Sequence, residues 1–106
     1  MWPSWLSAGK VTSITDADSP YSVQPEDWLI LCDTSVASVS VVLPDVVGIQ
    51  GKHFVIKKTA SANSVTVTAG DGSINIDGST THTNNQNYGL DWFVANGNEY
   101  WIISSK

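Results

Sequence analysis

Apolar and polar residues alternate with a period of two along most of this 106-residue chain, the pattern of strands that bury one face. Trp28, Ile30 and Cys32 share one face of the first such stretch, and Leu29 and Leu31 the other. Val39, Val41 and Leu43 alternate with Ser38, Ser40 and Val42 until Pro44, which has no N–H to donate, ends the ladder. Phe54 and Ile56 alternate with Val55 and Lys57, Val65 and Val67 with Ser64, Thr66 and Thr68, and Ile74 and Ile76 with Asn75 and Asp77. Tyr88, Leu90, Trp92 and Val94 define one face near the C-terminus, and Tyr100 and Ile102 a face on the strand after it. Asn96-Gly97 between them suits a type I′ turn, whose central positions both need φ > 0, so the pattern predicts a hairpin from Leu90 to Ile103.

Turn signals such as Ser19-Pro20, Gln24-Pro25, Leu43-Pro44, Asp71-Gly72, Asp77-Gly78 and Asn96-Gly97 punctuate these stretches. Their spacing, about 8 to 12 residues, is that of short antiparallel strands in a sandwich or barrel. The prediction is an all-β, antiparallel β-sandwich-like single domain over residues 10–106, with residues 1–9 as an N-terminal arm or linker. That arm holds Trp2 and Trp5 without periodicity, either as a linker from a longer parent chain or as an arm that docks elsewhere. Residues 79–87 are small and polar and read as a threonine-rich edge strand or a projecting loop. Trp28 to Cys32 and Trp101 to Ile103 are apolar on both faces, which fits a central strand or one whose outer face packs on a neighbouring chain.

Composition agrees with the pattern, since twelve valines, eight isoleucines and nine threonines far outweigh the strong helix formers. Five lysines and no arginine against ten acidic residues give a net charge of −5, a sign that repels nucleic-acid phosphates and anionic membranes. No apolar run nears the roughly 20 residues of a membrane span, and the N-terminus lacks a basic region followed by a hydrophobic stretch. The expectation is a soluble chain without membrane insertion or cleavable signal. Cys32 is the single cysteine, so no intramolecular disulfide can form, and its strand position predicts a buried, inert thiol.

The residues that could do chemistry form no recognisable constellation. Gly-x-Ser-x-Gly is absent, and His53, in a strand pattern, and His82, in a polar run, have no fixed geometry with any serine. Asp71, Ser73, Asn75 and Asp77 are spaced like a calcium loop, but Ile76 stands where glycine is needed and His82 where glutamate is. One cysteine and two separated histidines cannot complete a zinc site from one chain, although three copies of His82 around a threefold axis could hold an ion. The eight aspartates and two glutamates sit mostly at turns, where aspartate bonds backbone N–H groups. The reading is therefore of a chain that is not an enzyme, with no catalytic residue, metal or cofactor assigned. Trp28, Trp92 and Trp101 belong to a core or an interface, which leaves Trp2, Trp5, Tyr88 and Tyr21 as candidates to stack on a sugar. A monomeric carbohydrate-binding module is the alternative they define.

The order of the segments carries a further signal. Tyr21-Ser22-Val23, Asp27-Trp28-Leu29-Ile30-Leu31-Cys32-Asp33-Thr34, Val39-Ser40-Val41-Val42-Leu43-Pro44, Gly51-Lys52 and Val55-Ile56-Lys57-Lys58 follow one another. Val65-Thr66-Val67, Ile76-Asp77-Gly78 and the closing Asn96-Gly97-Asn98-Glu99-Tyr100-Trp101-Ile102-Ile103 complete the series. Over residues 10 to 104 this order resembles a small β-domain of bacteriophage tail fibres, tail spikes and related virion appendages. The resemblance implies a non-enzymatic, homotrimeric structural or receptor-facing part, assembled in the host cytoplasm and carried on the virion. Its partners would be further copies of itself, other virion proteins or a host cell-surface glycan. Cys32 departs from the aliphatic residue expected there, and no collagen-like or coiled-coil repeat precedes the domain. An excised fragment and a free-standing capsid decoration or head-fibre protein are the two readings of that second departure.

These arguments select two groups of residues. Trp28, Leu29, Leu31, Trp101 and Ile103 supply the second apolar face and are expected to form the interface between copies. His82, Asn84, Asn85, Asn87 and Tyr88 are expected at loop tips, where a rigid scaffold presents binding residues to a glycan.

Overall fold

The computed structural model describes residues 9–106. Among them are nine strands: β1 (Lys10–Thr15), β2 (Tyr21–Ser22), β3 (Asp27–Asp33), β4 (Val39–Leu43), β5 (His53–Lys58), β6 (Val65–Ala69), β7 (His82–Asn84), β8 (Leu90–Ala95) and β9 (Tyr100–Ser105). Asp16–Asp18 form one 3-10 turn, capped by the Thr15 hydroxyl accepting from Ala17 N. The domain is all-β, with two packed sheets ordered β1-β3-β5-β8-β9 and β2-β4-β6-β7.

From β1 to β6 the chain steps from one sheet to the other with every strand, so each strand lies parallel to the one two before it. The three remaining pairings, β5 with β8, β6 with β7 and β8 with β9, are antiparallel. Both sheets are thus mixed, and the expected antiparallel arrangement is corrected. The physical reason is that a parallel pair needs a crossover, and here each crossover is itself a strand of the opposite sheet. Turn spacing is the same whether the next strand pairs with its predecessor or crosses to the other layer. The hairpin from Leu90 to Ile103 is present as β8 and β9.

Between the sheets, Ile14, Ile30, Cys32, Phe54, Ile56, Phe93 and Tyr100 from one layer meet Val39, Val41, Leu43, Val65, Val67 and Ala69 from the other. Burying each larger side chain stabilises the fold by about 1.5 to 3 kcal/mol, the main source of stability in a chain without disulfides. Tyr100 crosses the layers, its hydroxyl donating to Pro44 O at 2.7 Å. Burial first, and then the nearby Asp45 carboxylate, raise its pKa well above the ordinary phenol range. Cys32 is buried as expected, and burial pushes its thiol up to about 12.

Four local expectations change. Trp28 is the extra residue of a β-bulge, since Lys10 pairs with Asp27 while Val11 pairs with Leu29. The bulge resets the alternation, so Asp27, Ile30 and Cys32 are buried while Trp28 is exposed. In β8 the inward residues are Asp91, Phe93 and Ala95, and the face of Leu90, Trp92 and Val94 points outward; Tyr88 lies before the strand with φ +52°. Ile74 to Asp77 is no strand, although Ile76 is buried and forms single bridges to Ser79 and Tyr100. At the hairpin tip only Gly97 has φ > 0 (+95°), which excludes the type I′ geometry. Instead, Asn96 Oδ1 accepts from both Asn98 N and Glu99 N at 2.9 Å.

Candidate interaction face

Strand registers line the outward residues of the five-stranded sheet into rows. Val11, Leu29, Val55 and Trp92 follow one another across β1, β3, β5 and β8, and His53, Val94 and Trp101 continue the face across β5, β8 and β9. Val11 is 51% exposed, Trp28 41%, Trp92 40%, Trp101 44% and Ile103 54%. Ile103 reaches this level because a second irregularity, opposite Trp92 and Phe93, leaves it unpaired in β9. All five residues expected at an interface, Trp28, Leu29, Leu31, Trp101 and Ile103, therefore belong to this one sheet, with Leu29 and Leu31 half-buried between their neighbours. The alternation assigned Leu90, Trp92 and Val94 to one face of their strand without revealing that it is this outer one.

The opposite outer face is different. The four-stranded sheet presents Ser22, Ser40, Val42, Thr66, Thr68 and Thr83, mostly hydroxyl side chains. Hydroxyls keep their hydrogen bonds in water, whereas an apolar sheet face left in water gains nothing from exposure.

Within the apolar face, Trp28, Leu29, His53, Val55, Leu90 and Trp92 line a depression of about 350 Å³ whose exposed wall is wholly apolar. Its one polar contact is turned inward on itself: Trp92 Nε1–H donates to His53 Nδ1 at 2.7 Å, with the two rings 5.7 Å apart. That bond fixes the indole orientation and requires an unprotonated Nδ1.

The residues expected to hold a ligand divide. His82–Asn84 is the edge strand β7, which settles the reading of that polar stretch, and Asn84 is buried. Its Nδ2 donates to Asp91 Oδ2 at 2.9 Å and to Lys106 O at 3.1 Å, so Asn84 is withdrawn from any loop-tip surface. The cause is Asp91, a buried carboxylate that also accepts from Ser105 Oγ at 2.6 Å and needs inward donors. His82 is drawn in as well, with Nε2 3.1 Å from Asp91 Oδ2. The approach lies off the hydrogen-bonding line, leaving Nε2 buried without a directed partner and unavailable to an ion on a symmetry axis. Asn85, Asn87 and Tyr88 do form an exposed turn, Tyr88 being 53% accessible. Trp2 and Trp5 lie outside the described residues.

A second polar knot closes the first coil of the winding. Asp27, fully buried, accepts from Thr12 Oγ1 at 2.6 Å, Tyr21 Oη at 2.5 Å and Gln24 N at 3.0 Å. Burial alone would raise the Asp27 carboxyl, but the three donors outweigh it and hold the group below the usual carboxylate range. Burial and the Asp27 carboxylate push Tyr21 up to about 12. The knot ties β1, β2 and β3 together, a structural arrangement. Asp71 is likewise a turn residue, its Oδ1 accepting from Ser73 N and Oγ. Among the described residues no group of three or more His, Cys, Asp or Glu side chains is placed to hold a metal ion.

No protein-family model and no curated protein matches the chain.

Proposed function

We propose that this chain is a non-enzymatic structural domain of a bacteriophage virion appendage, a tail fibre, spike or capsid-surface protein. It assembles as a homotrimer through the outer face of the five-stranded sheet and contributes to attachment at the host surface. The observation that carries the reading is that face: five large apolar side chains, each at least 40% exposed, on one sheet whose counterpart is covered with serine and threonine. Contiguous apolar surface of this kind marks an interaction site, whereas single exposed residues such as Val36 and Val47 need no explanation. Threefold closure is the expectation of the family resemblance, and closed symmetry also covers strand edges that would otherwise pair without limit.

The glycan-facing role falls to the turn bearing Asn85, Asn87 and Tyr88, where an exposed aromatic face stands beside two amide side chains. An aromatic ring for stacking with amides for hydroxyl groups is the combination a sugar needs. The apolar depression lacks the polar partners for that task.

Light scattering behind a sizing column, at two protein concentrations, tests the assembly. A stable species of about 34 kDa, three times the 11.4 kDa chain, is expected. A monomer whose mass does not change with concentration would overturn the reading.

A further inference from the structure

The described chain begins at Gly9, laid directly on the aromatic wall of the depression. A Cβ on Gly9 would collide with Trp28 Cδ1 and Cγ, so only glycine lets the backbone pass this close to the indole. Lys10 N, the next donor, is tied to Glu26 O at 2.8 Å, which fixes the start of β1 beside the Trp28 bulge. Residues 1–8 therefore join the domain at the rim of an apolar hollow that no described residue covers. Their sequence, Met-Trp-Pro-Ser-Trp-Leu-Ser-Ala, contains no charged side chain and four large apolar ones, Met1, Trp2, Trp5 and Leu6.

We propose that the segment Trp2 to Leu6 is the occupant of this depression, docked on the domain of its own chain with Trp5 and Leu6 against Leu29, Val55, Leu90 and Trp92. Reach permits it. The hollow spans β3, β5 and β8, two interstrand spacings or about 10 Å, and the three to four residues between Trp5 and Gly9 extend about 10 to 13 Å. Chemistry favours it, because a wall without free polar groups recognises an uncharged apolar segment and rejects a sugar or a charged peptide. Connectivity favours it again: a segment tethered at the rim meets the site at an effective concentration in the millimolar range, so modest contacts suffice. The bulge that turns Trp28 outward and the Trp92–His53 bond that orients the second indole build the walls before the segment arrives.

The test uses the full chain, with its tryptophan indole N–H resonances assigned by single Trp→Phe variants. In the double variant Trp5→Ala, Leu6→Ser the Trp28 and Trp92 resonances are expected to shift, and that of Trp101, on the far strand, to stay. Superimposable Trp28 and Trp92 resonances would overturn the proposal. In the unsubstituted chain, nuclear Overhauser contacts from the Trp5 ring to Val55 and Leu90 methyls are expected, and their absence would overturn it independently. A sample mixing two isotope-labelling schemes tells the chains apart, and contacts seen only between chains would overturn docking on the segment's own domain. Mass by light scattering on the same samples separates this proposal from self-association. A monomer with the Trp5 contacts sinks only the assembly, and a trimer without them sinks only the docked segment.

Discussion

Replacing Asp27 probes the knot that closes the first coil. In Asp27→Ala, Thr12 Oγ1, Tyr21 Oη and Gln24 N lose their common acceptor. Hydrogen bonds to a charged group contribute about 1.5 to 3 kcal/mol each, but Thr12 and Tyr21 are half-exposed and can turn to water, so the expected loss is about 3 kcal/mol. Asp27→Asn should cost only about 1 kcal/mol, because the amide oxygen can serve Tyr21 and Gln24 while its N–H donates to a rotated Thr12 hydroxyl. Urea unfolding followed by tryptophan fluorescence reads both; at a slope of about 2 kcal/mol per molar, the alanine midpoint falls by about 1.5 M. The pH dependence gives the sharper test. The folded carboxyl titrates below its unfolded value of about 3.9, so its contribution is fully present above that pH and is lost as pH falls through the folded value. Asp33 and Asp71, lowered by their own turn hydrogen bonds, add acid sensitivity common to parent and variant. The gap between parent and Asp27→Asn should therefore narrow from pH 6 toward pH 2, and a gap constant across that range would refute the reasoning.

Three further outcomes are expected. Trp101→Ala should weaken assembly by more than about 2 kcal/mol, roughly 30-fold in the association constant, as read by sedimentation; an unaltered oligomer would remove Trp101 from the interface. Cys32, buried and with its thiol pushed up to about 12, should resist a thiol reagent in the native protein and react fully in denaturant; rapid native labelling would contradict its burial. Gly97→Ala should destabilise the β8–β9 hairpin by about 1 to 2 kcal/mol in thermal unfolding, because φ +95° rather than lack of space is the obstacle there.

What could be read in advance follows from what a period of two encodes. Alternation located β3, β4, β5, β6, β8 and β9, most plainly β4, β6 and β8, which bury every second residue over five positions. It missed β1, where only Ile14 is fully buried and Thr12 replaces the other inward apolar residue in order to bind Asp27. It also could not foresee Trp28, since a bulge adds one residue without any change in composition, or Asn84, whose burial depends on Asp91 from a different strand. Lys58 is buried too, its Nζ donating to Asn63 O five residues on, where the chain turns with φ +61° at Asn63. Parallel pairing was illegible for a related reason: strand content and turn spacing carry no information on which strand is the neighbour.

The winding builds the apolar face from several strands and not from a few neighbouring residues. Each coil contributes one strand to each sheet, so each coil chooses separately what it shows on either side. In all three coils the larger apolar residues outside the core fall on one side: Val11, then Leu29 and Leu31, then Val55 on β1, β3 and β5, with Ser13 and Lys57 beside them, against Ser22, then Ser40 and Val42, then Thr66 and Thr68 on β2, β4 and β6. The antiparallel strands extend the division with Leu90, Trp92 and Trp101 on one side and Thr83 on the other. One lysine stands within the apolar side, Lys57 on the central strand β5 between Leu31 and Leu90, and its ammonium is tied back to Tyr88 O. A sheet facing water on both sides of the domain would show the hydroxyl pattern twice; this domain shows it once, and the difference between its two faces is what the proposed assembly rests on.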